Sequence, residues 1–94
     1  MTWSERTRIE LDDRVEATTR ALRAAAVEAE MAISGDDRVG ESCAARLLGL
    51  ERETLAKKRS EGKALPSYRV PVGGARVSYR LCDLAAWIEQ QRNF

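Results

Sequence analysis

ESCAARLLGLERETLAKKRSEGK, residues 41–63, reads as two short helices around a tight corner. Ala44, Ala45, Leu47 and Leu48 recur at helical spacing. Gly49 follows as a left-handed stop, where a residue without Cβ turns the chain at little steric cost. Leu50 plugs the corner. The second helix starts at Glu51 or Arg52, turns Leu55 inward and carries Arg52, Lys57, Lys58 and Arg59 within about two turns. Gly62 ends it. This is a helix-turn-helix pattern, and since most Gly-cornered helix pairs bind nothing, the residues beyond it carry the argument further.

After Lys63 come two strand-like runs rich in Tyr and Val, SYRVPV at 67–72 and RVSYR at 76–80, separated by Gly73-Gly74-Ala75. The glycines accept positive φ, so the pattern predicts a hairpin, a wing beside the helix pair. Alternation turns Tyr68, Val70, Val72, Val77 and Tyr79 toward the helices and Arg69, Arg76 and Arg80 outward. Leu81 to Gln91 is again helical, with Leu84, Trp87 and Ile88 on one face and Trp87 as a core anchor. The predicted core is Ala44, Leu47, Leu48, Leu50, Leu55, Tyr68, Val70, Val77, Tyr79, Leu84, Trp87 and Ile88.

The run from Val39 to Gln91 resembles the small winged helix-turn-helix proteins of the MerR-like excisionase and AlpA-type regulator group. The residues carrying the likeness are AARLLGL at 44–50, ETLAKKRSEGK at 53–63, VGG at 72–74 and RVSYRLCDLAAWIE at 76–89. The chain departs from the group's usual residues at Lys58 and at Ala64-Leu65. The resemblance implies a winged helix-turn-helix domain; with the N-terminal helix read from the sequence itself, the expected fold is mainly α with a small β-hairpin, a winged helix-turn-helix domain preceded by a long N-terminal helix. The resemblance also implies double-stranded DNA as partner and sequence-specific binding. Two roles use the same contacts: an excisionase, or recombination directionality factor, that binds repeated sites cooperatively and bends DNA for an integrase, and a transcriptional regulator of prophage or mobile-element genes. A third reading is a small terminase-like packaging adaptor, and a fourth is a protein-interaction module without DNA.

For DNA binding each part has a physical task. Residues near the start of the second helix reach base edges in the major groove, which makes Arg52, Glu53, Thr54 and Lys57 the candidates. Arg52 suits guanine, and Glu53 suits cytosine or simply complements the helix dipole. Lys58, Arg59 and Lys63 suit phosphates or solvent, although the spacing of Arg59 from Leu55 turns it toward the core and an ion pair. Arg76, beside the Gly73-Gly74 backbone, suits the minor groove, and Arg69 the flanking phosphates.

Charge divides the chain in the same place. Residues 1–37 hold five basic and nine acidic side chains, whereas residues 38–94 hold eleven basic and six acidic ones. Such asymmetry is the footprint expected of a phosphate-binding module joined to a segment with another task. The expected organisation is therefore an N-terminal helix within 1–37, for oligomerisation or packing, and a DNA-binding domain over 38–94. That helix reads from about Ser4, as cap, to Ile33, with Ser34-Gly35 as its stop. Leu11, Val15, Thr18, Leu22, Ala25, Ala29 and Ala32 form a narrow heptad-type seam that suits either self-association, including on DNA, or packing within the chain.

No histidine, P-loop or G-x-S-x-G is present, so the sequence predicts no enzyme, no metal and no cofactor. Cys43 and Cys82 read as small, reduced, buried or half-buried hydrophobes. The absence of a long apolar run and of a signal-like start predicts a cytoplasmic protein that does not enter the membrane.

Overall fold

The computed structural model describes residues 2–62 and 65–92; Lys63 and its expected phosphate contact lie outside them. The described chain is mainly helical, in the order α1 (Trp3–Glu28), β1 (Arg38–Gly40), α2 (Glu41–Leu48), α3 (Arg52–Ser60), β2 (Ser78–Arg80) and α4 (Leu81–Gln90).

Thr2, not Ser4, caps α1. Its Oγ1 accepts the Glu5 N–H at 3.2 Å, while Glu5 Oε2 accepts the Thr2 N–H at 3.0 Å, so two otherwise orphaned donors are satisfied reciprocally. The helix ends at Glu28, before the predicted stop, and Glu30 turns the chain at φ 56°. The inward seam follows Leu11, Val15, Thr18 and Leu22, then passes to the fully buried Ala26 and leaves Ala25 exposed, while Ala29 and Ala32, also exposed, lie past the helix end. A straight helix of 3.6 residues per turn drifts off a heptad repeat in this way. The seam is occupied within the chain, because α1 packs along α4. Arg14 Nε donates to Glu89 Oε1 at 3.1 Å and Thr18 Oγ1 donates to Glu89 Oε2 at 2.9 Å.

At the corner after α2, Gly49 has φ 73°, its N–H reaches the Arg46 carbonyl at 3.1 Å, and the Leu50 N–H reaches the Ala45 carbonyl at 2.8 Å. These are the paired bonds of a Schellman cap, which closes the carbonyl end of α2 and launches α3 three residues later.

The sheet differs from the predicted hairpin. β2 pairs antiparallel with β1, placing Arg38 opposite Arg80, Val39 opposite Tyr79 and Gly40 opposite Ser78. The first predicted arm joins the second only at Tyr68–Ser78 and at Val72–Ala75. Between those two pairs, residues 69–71 face residues 76–77, so one residue is extra and the alternation breaks. Val72 is accordingly buried, Tyr68 half-buried and Val70 47% exposed, which removes Val70 from the core. Gly73 and Gly74 have φ 57° and 87°, the double positive-φ pattern of a type I′ turn.

The core gathers Leu22, Val39, Ala44, Ala45, Leu55, Leu65, Tyr79, Leu81, Leu84 and Ala85, with Leu47, Leu48, Val77, Trp87 and Ile88 packed at its edge. Its closing joint is Asp37, at φ 62°: its carbonyl accepts the Leu81 N–H at 2.9 Å and its carboxylate pairs with Arg23. Among the described residues, no helix is long and apolar enough to cross a membrane.

Candidate nucleic-acid interface

Leu55, 1% exposed, fixes the rotation of α3 about its own axis. With that side chain inward, Arg52, Glu53, Thr54 and Lys57 are exposed and Lys58 is half-buried. Arg59, one turn after Leu55, faces back toward α2. Its Nε donates to Glu41 Oε2 at 2.8 Å and its Nη2 to Glu41 Oε1 at 3.3 Å, while the Tyr79 hydroxyl donates to the same Oε2 at 2.8 Å. Glu41, 6% exposed, thus ties α2 to both α3 and β2. Burial alone pushes its carboxyl up; the hydrogen bonds from Arg59 and Tyr79, with the charges of Arg59 and Arg52, overcome that and hold it below the ordinary range. Burial and the Glu41 contact push the Tyr79 phenol well up. Arg59 is therefore engaged by a carboxylate, as its spacing suggested.

A cleft of about 400 Å³ opens between α2, α3 and the glycine turn, lined by Glu41, Ser42, Arg52, Arg59, Gly74, Ala75, Arg76 and Val77. It adjoins a second hollow of about 490 Å³, whose walls include Glu30, Ser42, Arg46, Arg52, Gly73 and Gly74. Of the sequence-predicted contacts, Arg52, Gly73, Gly74 and Arg76 are brought together here. Glu53, Thr54, Lys57 and Lys58 continue along α3, and Arg69 stands exposed on the first arm; none of these lines either hollow.

Ion pairing sorts the basic residues further. Arg14, Arg20, Arg23, Arg38, Arg59 and Arg80 each have a carboxylate partner. Arg38 and Arg80 share Asp36, whose carboxyl is held far below its usual range by hydrogen bonds from Arg38 and then Ser34, and both guanidiniums lie over the Tyr68 ring, at 6.0 and 5.1 Å. Arg46, Arg52, Lys57, Lys58, Arg69 and Arg76 make no ion pair among the described residues. Of the predicted cationic contacts, Arg52, Lys57, Lys58, Arg69 and Arg76 belong to this unpaired set, whereas Arg59 is taken by Glu41. Sequence reasoning missed Arg46, because α2 was read only for its apolar residues, and it missed Glu41, which looks like an ordinary first-turn acid.

A third hollow, about 470 Å³, runs along α1 and is lined by Asp12, Val15, Glu16, Thr19, Arg20, Arg23 and Cys82. Its arginines are neutralised by Glu16 and Asp37, so it lacks the free positive charge of the first two. Cys43 is half-buried as expected, whereas Cys82, the second residue of α4, is exposed because that position faces away from the Leu81 and Leu84 side. Comparison of the chain with protein-family models, with curated proteins and with solved structures finds no match in any of the three.

Proposed function

We propose that the chain is a sequence-specific DNA-binding protein, a winged helix-turn-helix domain behind a long helix, acting as an excisionase. The observation that carries the reading is the gathering of unpaired Arg52 and Arg76 on one cleft, beside an open glycine turn and the exposed start of α3. A helix start enters the major groove, a positive-φ glycine turn approaches a backbone closely, and uncompensated guanidiniums meet phosphates or guanine. The excisionase role comes from the resemblance in sequence. One domain with one short helix contacts few bases, so selectivity needs several copies on repeated sites, and their contacts offset a bending cost of about 1–6 kcal/mol.

The test is selection of bound duplexes from a random pool, followed by affinity on one, two and three copies of the selected site, bend angle, and integrase-dependent excision. The reading expects cooperative binding, bending and a gain in excision. Independent, non-bending binding with unchanged excision would transfer the proposal to a transcriptional regulator. A fixed ring in solution, seen by mass measurement without DNA, would favour the packaging adaptor. Absence of duplex binding at low salt would reject all three.

A further inference from the structure

The cleft between α2, α3 and the glycine turn has an unbalanced charge. Three arginines and one carboxylate line it, but Glu41 is engaged by both Arg59 and the Tyr79 hydroxyl. Arg59 and Glu41 cancel. Arg52 and Arg76 remain as two guanidiniums on one hollow that make no ion pair among the described residues, Glu41 acting on Arg52 only from beyond ion-pair distance. Glu30, which lines the adjoining hollow, and Glu51 and Glu53, which flank Arg52 in the chain, make no ion pair with it. Two like charges on a shared concavity repel, and an anion between them turns that repulsion into two attractions.

The lining also supplies donors of the right kind. A guanidinium presents a planar fork of N–H groups that matches the oxygens of a phosphate. The Ser42 hydroxyl, exposed at the start of α2, makes no hydrogen bond among the described residues. At Gly74 no atom lies within 4 Å of the place a Cβ would take, so the rim stays open to a close-approaching ligand.

We infer that this cleft is an oxyanion site for a phosphate group, with Arg52 and Arg76 as its two walls and the Ser42 hydroxyl as a further donor. Resting on the DNA-binding reading, the phosphate is a backbone phosphodiester rather than a free phosphate. Arg52 then holds the backbone, and Glu53, Thr54 and Lys57 are left to face base edges.

The experiment has two arms on the full chain, each with a melting curve to show that the exposed substitutions leave the fold intact. In the first, inorganic phosphate is titrated into isotope-labelled protein and amide signals are followed by NMR. Saturating shifts at Ser42, Gly74 and Ala75, weakened at least about tenfold in Arg52→Gln and in Arg76→Gln, are expected. Shifts that do not saturate, or that survive in the double variant, overturn the site. In the second arm, affinity for a selected duplex is measured against salt. Each single variant should lower the logarithmic salt slope by about one, so that a fourfold rise in salt costs about fourfold less than in the parent, with the ranking of base sequences unchanged. A changed ranking with an intact slope in Arg52→Gln overturns its phosphate role while DNA binding stands. Saturable, arginine-dependent phosphate binding by a protein that ignores duplex DNA at low salt keeps the site, with free phosphate as its source, and rejects the DNA reading.

Discussion

Glu41 commits both carboxylate oxygens to other elements, one shared by Arg59 of α3 and Tyr79 of β2, the other taken by Arg59 alone. Truncating it leaves a phenol and a guanidinium without their acceptor inside the fold. Glu41→Ala is expected to cost about 2–4 kcal/mol by urea unfolding, less than a fully buried pair because Arg59 is about a third exposed. Tyr79→Phe should cost about 1–2 kcal/mol, since it removes one bond to a charged acceptor. The pH dependence has a definite sign. The folded Glu41 carboxyl lies below its ordinary value of 4.5, so its contribution is present above that pH and is lost as pH falls through the folded value. Burial raises Asp83 against the opposing charge of Arg80, so Asp83 works the other way, and stability returns as it protonates. Glu41→Gln should therefore flatten the acid-unfolding curve below the ordinary glutamate range, and a curve as steep as the parent's would place the acid-sensitive group elsewhere.

Among the elements, the glycine turn makes the sharpest forecast. A left-handed φ costs a residue with a Cβ about 1–2 kcal/mol, and both Gly73 and Gly74 are in that region. A Cβ at Gly73 would stand 2.8 Å from Ala32 Cβ, whereas one at Gly74 meets nothing within 4 Å. Gly73→Ala should thus lower the melting temperature more than Gly74→Ala; equal shifts would show that the turn does not rest on the segment after α1. Gly40 has an ordinary φ of −67°, so Gly40→Ala tests packing alone, against Ala75 Cβ at 2.7 Å. The Gly49 cap, the double-glycine turn and the Leu84, Trp87 and Ile88 face were legible because each is a local signal of backbone sterics or helical period. β1 was not. Three residues carry no periodicity, and their partner strand lies about forty positions away. The extra residue between Tyr68 and Val72 was hidden for a related reason, since a bulge is defined by its partner strand. The individual contact residues were readable from charge and position, but the meeting of Arg52 and Arg76 on one cleft depends on how α3 docks beside the turn. That docking is set by Leu55, Arg59 and Glu41.

At the scale of the molecule, α1 supplies Leu22 to the core and covers α4, with Ala26 fully buried along the same face. A chain starting at Asp37 would bare that face of α4, and it should lose cooperative melting; a sharp transition near the parent's would show that α1 is dispensable to the core. The contacts that close the fold also span nearly its whole length: Arg14 and Thr18 lie 75 and 71 positions from Glu89, and β1 waits for β2. Such separations delay assembly, because loop closure precedes the reward of contact. During synthesis α1 emerges first, with Leu22 and Ala26 uncovered. At about 5–20 residues per second, roughly 3–10 s pass between the making of Glu28 and of Leu81. A ribosome-arrested chain ending after Arg80 should be cut by protease within α1, and one extended through Arg92 and clear of the exit tunnel should resist. For those seconds the longest helix is an open amphipathic surface, available to chaperones until the last helix arrives to cover it.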